Sequence, residues 1–401
     1  MLNIFNSPPR PKVAGNAVAA TGGLGRTFIL ALGTFAVGTD AFIVNGFLPE
    51  MASGFDVSAA AAGQSVTAFA LTYAILAPVI ATATATIPRR ALLVAALLGL
   101  GLANLASALS PTLPALILAR MFAAATAAAY TPNAAAVATM LARPEQRARA
   151  LSVVIGGLTI ATALGIPIGR IASIWLGWRE ALGLVAVLSC IAAIGVFSIM
   201  PSLPGNQRVP LGARLALLRR PGVLAVLPLT LIGMAACTTP FAYTVPVLHT
   251  LSVPHATIAL MLFVYGVGAV IGNFSSGYGT DRWGAKRVLV TAYVALAGSL
   301  GGMAWLAVKA TAAPIATGLL MLGWGASGWA QTPAQQHRLI ATAPQEAPLV
   351  VALNSSGIYF GIALGTALGG VAMSASITAV LESGLALSVL SLVFLAMTTR
   401  S

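Results

Sequence analysis

Two charged side chains lie deep inside apolar runs of this sequence, and they are of opposite sign. Asp40 stands in GTFAVGTDAFIVNGFLPEM, Gly33 to Met51, and Arg120 in LILARMFAAATAAAYTPNAAAV, which begins at Leu116. A carboxylate at the centre of a hydrocarbon layer costs about 2.5–3.5 kcal/mol on insertion scales. It must face a wet cavity or a counter-charge, and Arg120 is the buried partner on offer. Asp40 lies about thirteen residues into its run, or about 20 Å along a helix; Arg120 enters from the opposite end by about seven residues, or about 10 Å. In a hydrocarbon core about 30 Å thick the two reach comparable depth. Such a pair suits proton coupling, because the carboxylate's hold on a proton changes with hydration and with distance to the guanidinium. The plainer reading is a static ion pair that fixes two helices.

Five other titratable groups sit at the ends of the runs. Glu50 and Asp56 read as solvated charges, and His249, His255 and His337 as interfacial side chains. Cys190 and Cys237 lie in apolar runs without a CxxC pattern and read as small buried hydrophobes. The sequence holds no cluster of metal ligands, no phosphate-binding loop and no nucleophile triad. An enzyme, a metal site and an organic cofactor are therefore not expected, and the proton is the coupling ion the residues offer.

These residues must be positioned by a very apolar chain. Of 401 residues, 58% are hydrophobic and 7% charged, with a mean hydropathy of +0.94; a soluble chain carries about 25% charged residues. Such a chain cannot cover itself with a water-facing surface. Apolar runs of about 20 residues identify helical spans rather than the short alternating strands of a barrel. The net charge of +13 is spread over short loops, which argues against a nucleic-acid groove and for the basic loops of a membrane protein.

Hydropathy places about twelve helices, near 27–50, 61–85, 90–109, 113–141, 148–173, 180–200, 222–248, 256–279, 287–307, 313–337, 347–373 and 376–397. Residues 1–26 read as a cytoplasmic tail without the apolar core of a cleavable signal, 201–221 as a Pro-rich cytoplasmic linker and 398–401 as a cytoplasmic end. The predicted fold is an all-α integral membrane protein with two pseudo-symmetric six-helix bundles, 27–200 and 222–397, around a central cavity. Of 21 Lys and Arg, only Arg170, Arg179 and Lys309 fall on one face and Arg120 inside a span. The rest fall on the face shared by both termini, which assigns that face to the cytoplasm.

The halves repeat one another. Gly157, Gly165 and Gly169 recur as Gly357, Gly365 and Gly369, Thr131-Pro132 recurs as Thr332-Pro333, and Pro49 as Pro246. A duplicated six-helix unit predicts a binding site near the bilayer midplane between the halves. On that repeat Asp40 and Arg120 correspond to Cys237 and Met321, so proton work falls to the first half.

The segment GYGTDRWGAKR, Gly277 to Arg287, closely resembles the G-x-x-x-D-R-x-G-x-[KR]-R loop signature of the major facilitator superfamily. Its first-half counterpart, TATATIPRRALL, keeps the arginines without the glycines and the aspartate. LILARMFAAATAAAYTPNAAAV resembles the family's fourth-helix motif, with Ala at the usual glycine. ALGIPIGR, with GWRE at Gly177 to Glu180, resembles the fifth-helix motif of the antiporter branch. The stretch from Gly33 onward is similar to the opening of bacterial drug and sugar efflux members, some of which carry a glutamate in place of Ala41. The resemblance implies a secondary active transporter of the bacterial inner membrane. It would export a small molecule, a drug, antibiotic or sugar-like compound, in exchange for protons by alternating access. Proton-coupled import or facilitated diffusion is the alternative; a membrane sensor or scaffold is a third reading, which would normally bring a soluble signalling domain.

Under the leading reading, Gly165, Pro167 and Gly169 mark a seam between halves that faces Gly266, Gly268 and Gly272. Gly277, Asp281, Arg282, Gly284, Lys286 and Arg287 make a cytoplasmic charge latch. Asn45, Gln64, Thr67, Tyr73 and Asn133, with Thr239, Tyr243, Gln331, Asn354 and Tyr359, are the expected cavity lining. Their amides, hydroxyls and rings suit a neutral or weakly cationic amphipathic molecule, or a sugar. The expected partners are that molecule and the lipid bilayer, with no nucleic acid, and the expected state is a monomer.

Overall fold

The computed structural model describes residues 23–143, 146–205 and 209–398. Most of the expected tail, Arg208 of the linker and the last residues of the chain lie outside them. In a bilayer every backbone N–H and C=O must be satisfied within its own segment, so apolar runs fold as helices. In chain order these are α1 Gly23–Phe42, α2 Val44–Gly54, α3 Ala59–Ala83, α4 Arg89–Ala108, α5 Leu113–Leu141, α6 Arg147–Ile160, α7 Ile166–Trp175 and α8 Trp178–Ile199. After the linker come α9 Leu211–Ala216, α10 Pro221–Phe241, α11 Thr244–Thr250, α12 Ile258–Trp283, α13 Ala285–Val308, α14 Pro314–Thr342, α15 Ala347–Ala375 and α16 Ile377–Thr398. Among the described residues, 11 helical columns are long and apolar enough to cross a membrane. α14 matches them in length, at 29 residues, but Gly, Trp and Gln dilute its apolar character.

Each expected span coincides with a helix to within a few residues, and three of them are interrupted. α1 stops at Phe42, and Phe47 in α2 leaves helical geometry at φ −135°, ψ 23°. Pro49 explains this: it has no N–H for the Asn45 carbonyl, and its ring crowds that carbonyl. Pro240 and Pro246 flank the matching break between α10 and α11. Between α6 and α7, Ala161–Gly165 widen into one π turn, a feature that recurs at functional sites. Gly177 and Gly284 take φ of +112° and +84°, which a side chain would resist, and so reverse the chain between α7 and α8 and between α12 and α13.

In the first half, α4 packs on α5 and α8, and α1 on α5, α6 and α8; in the second, α12 packs on α14, α10 on α15 and α16, and α13 on α14 and α16. Between the halves, α3 runs along α15, α7 and the π turn meet α12, and α2 meets α11. At the α2–α11 end, Phe47, Leu48 and Met51 share one apolar cluster with Ala242, Tyr243 and Val380. That end is closed.

The small-residue seam lies elsewhere than spacing placed it. A Cβ on Gly157, Gly165 or Gly169 would strike Ala31, Thr39 or Ile43, and one on Gly365 or Gly369 would strike Ala235 or Thr239. Gly268 and Gly272 press on α14. These glycines join helices within each half, and Pro167 is buried beside them. Of the set, Gly266 works across the halves, against Ala163 of the π turn.

Three further expectations are corrected. Asp281, Arg282, Lys286 and Arg287 are all exposed, and Arg282 donates to the Tyr278 hydroxyl at 2.9 Å rather than to Asp281. Neighbouring helix positions diverge by about 100°, so Asp281 and Arg282 point apart and no latch is closed here. Cys190 is exposed on α8, where lipid is the solvent, and Cys237 is buried. Glu50 is not simply solvated, because it pairs with Arg170.

Candidate functional site

Asp40 lies two residues before the end of α1, next to the break. Arg120 reaches it from α5: Nη1 pairs with the carboxylate, and Nη2 donates to the Asp40 carbonyl at 2.8 Å. Both side chains are fully buried. The guanidinium lies 4.5 Å from the ring centroid of Phe69 on α3, and Asn104 of α4 stands beside the carboxylate. Asp40 Oδ2 and Arg120 Nε have no hydrogen-bond partner. One carboxylate oxygen is thus held by the guanidinium, and the other lacks a close hydrogen-bond donor.

The pair lies just behind the surface where the halves meet. Phe69, which covers Arg120, is 6.5 Å from Tyr359 of α15, and Tyr73, one turn along α3, stacks on Tyr359 at 3.7 Å and 20°. Phe42 packs edge-on against Phe241 of α10 and Trp329 of α14, at 5.9 and 6.0 Å. Aromatic pairs of this kind contribute about 0.5–1.5 kcal/mol beyond area burial, enough to favour contact between the halves.

The second half keeps the architecture without the charge. Trp324 Nε1 on α14 donates to the Cys237 carbonyl at 3.1 Å, where Arg120 on α5 donates to the carbonyl of Asp40. The Cys237 thiol lies 3.7 Å from the Tyr265 hydroxyl.

Tyr73 and Tyr359 are therefore brought beside Asp40 and Arg120. Other expected lining residues are engaged within the protein. Thr239 donates to Ala235 O at 2.7 Å, Tyr243 to Thr366 O at 3.1 Å, and Gln331 to the carbonyls of Gly233 and Gly328. Asn133 accepts from Arg89 at 2.7 Å, and Gln64 is exposed. Asn45 Oδ1, Thr67 Oγ1 and Asn354 Nδ2 are buried without partners, so their hydrogen-bonding capacity is unspent. Phe69, Asn104, Tyr265 and Trp324 were missed by sequence reasoning. Phe69 had a signal, since it lies four residues before Tyr73 on one face of α3.

At the closed end, Arg170 of α7 pairs with Glu50 of α2 and reaches Gly46 O at 3.4 Å. His249, in the last turn of α11, lies 4.2 Å from His255, ring to ring.

The sequence model of the Major Facilitator Superfamily matches residues 30–365. The chain belongs to the Major Facilitator Superfamily. It is accordingly a multi-pass membrane protein that moves a small molecule by secondary transport, and not an enzyme. This transporter is 30% identical over 356 residues to the MFS-type transporter YbcL of Bacillus subtilis, covering 86% of this chain and 88% of that one. It is 31% identical over 351 residues to the inner membrane transport protein YdhP of Escherichia coli, covering 87% and 88%. A chloramphenicol resistance protein of Streptomyces lividans is 31% identical over 276 residues, 68% of this chain and 70% of that protein. Among solved structures, a bacterial homologue of the human lysosomal transporter Spinster matches with a TM-score of 0.72 at 17% identity, over 93% of this chain and 96% of that one. That likeness bears on fold alone.

Proposed function

We propose that this transporter is a proton-coupled exporter of the bacterial inner membrane. Its twelve spans form two six-helix bundles, 27–200 and 222–397, with both termini cytoplasmic and the cargo held between the bundles. One observation carries the reading: a fully buried Asp40–Arg120 pair with one carboxylate oxygen unspent, separated from the Tyr73–Tyr359 contact between halves by the ring of Phe69. A proton on Oδ2 removes the attraction for Arg120, and its loss restores it. Cargo that parts Tyr73 from Tyr359 moves Phe69, and with it the surroundings of the guanidinium. Proton and cargo thereby compete through one contact. Export of an antibiotic-like or sugar-like molecule is supported by the chloramphenicol resistance relative, and the inner membrane by YdhP.

Proteoliposomes with an imposed pH gradient and a panel of antibiotics and sugar analogues test this. Asp40→Asn is expected to abolish uphill movement while downhill movement continues. Uphill movement at the unaltered rate in Asp40→Asn would remove Asp40 from coupling.

A further inference from the structure

We propose that the groove between α12 and α13 is a binding site for an anionic phospholipid, one acyl chain lying in the groove and the phosphate at Arg287. The proposal rests on the membrane embedding of the chain and not on proton coupling.

The two helices diverge from the turn at Gly284 and leave between them a cavity of about 440 Å³, floored by α14. α13 packs on α12, α14 and α16, all of the second half, so its side of the groove lies away from the first half, and Ser275, Thr291 and Ala295 of the lining are exposed. Its lining is rich in small residues, among them Gly272, Ala292, Ala326 and Ala330. Hydroxyl groups line it too, but each is already spent: Ser275 donates to Gly272 O, Ser276 to Ala330 O, Thr291 to Arg287 O and Ser327 to Trp324 O. With no free donor on these hydroxyls, the wall suits hydrocarbon and not a polar solute.

The mouth is different. Arg287 is the charged residue of the lining, beside Trp283, and both are exposed. Arg287 makes no ion pair among the described residues. Lys286 and Arg282 flank it, three cations against the single carboxylate of Asp281. Trp283 and Tyr278 are 55% and 61% exposed, amphipathic rings of the kind that settle at headgroup level. An apolar slot that ends at an unpaired guanidinium among basic neighbours and interfacial rings is the arrangement by which cytoplasmic basic pockets take anionic headgroups. Arginine suits a phosphate because it offers paired donors in a fixed fork. On this proposal, the charges read in the sequence as a cytoplasmic charge latch take a lipid phosphate as counter-ion.

The test uses the full chain purified in detergent, stripped of lipid and titrated with phosphatidylglycerol or phosphatidylcholine, with bound lipid counted by native mass spectrometry. The unaltered protein is expected to retain phosphatidylglycerol in preference to phosphatidylcholine. Lys286→Gln combined with Arg287→Gln is expected to lower phosphatidylglycerol affinity by about ten-fold or more. Ala295→Trp, which fills the groove and leaves the charges intact, is expected to lower it as well. An unchanged thermal transition in detergent shows that each variant is folded. Equal retention of the two lipids by the unaltered protein overturns the proposal without recourse to any variant. So does unchanged phosphatidylglycerol retention in either folded variant.

Discussion

Arg120 illustrates how little room a buried charge leaves for substitution. Removing one partner of such a pair leaves the other uncompensated, which costs about 3–5 kcal/mol. Arg120→Ala is therefore expected to lower unfolding stability in detergent by that amount, and the double variant Asp40→Leu, Arg120→Met to recover most of it while remaining unable to drive uphill transport. Denaturant titration checks the first half of this prediction and vesicle transport the second. Tyr73 acts through its ring, so Tyr73→Phe should keep near-normal transport whereas Tyr73→Ala should weaken closure of the junction, read as increased labelling of a cysteine placed beside Tyr359.

His249 offers a pH dependence at the same scale. Burial first, then His255 and Arg170, hold its imidazole below the usual histidine range, and Glu50 opposes them. The facing charges are Glu50 from α2, Arg170 from α7 and His255 in the turn before α12; Glu382 of α16 is exposed. Because the closed arrangement lowers the affinity for a proton, the neutral imidazole belongs to closure. Its contribution is complete above about pH 6.5, the ordinary histidine value, and fades as pH falls below it. Spin labels on α2 and α11 should move apart between pH 8 and pH 5, and His249→Gln should flatten the response.

At the scale of elements, existence was legible and contact was not. Apolar runs must become helices in a bilayer, so α3, α4, α5, α8 and α16 could be placed from hydropathy. The break in the first span had one visible cause in Pro49, which shows at Phe47. Gly157, Gly165 and Gly169 announced a small face without saying that α1 would fill it. The partnership of Asp40 with Arg120 could be argued from depth and charge. The Trp324–Cys237 bond could not, because a backbone carbonyl has no signature in the sequence. Gly266 carries the element-scale prediction: Gly266→Val drives a side chain into Ala163 of the π turn and should slow exchange between conformations. Reduced turnover with retained cargo binding is the expected result, measured by transport and by binding to the same preparation.

At the scale of the whole molecule, the buried charge pair lies in the first half, and the corresponding place in the second half carries none. Among the described acidic residues, Asp40 is the one that is fully buried. Its counterpart offers the Cys237 thiol and the indole N–H of Trp324, with no charged group between them. If neutral cargo leaves as one proton enters, each turnover carries one elementary charge inward. Membrane voltage then joins the driving force at about 2.3 kcal/mol per 100 mV, about fifty-fold in the cargo ratio. A potassium diffusion potential alone, with equal pH on both sides, should drive accumulation, and a transport current should be recordable from vesicles on a solid electrode.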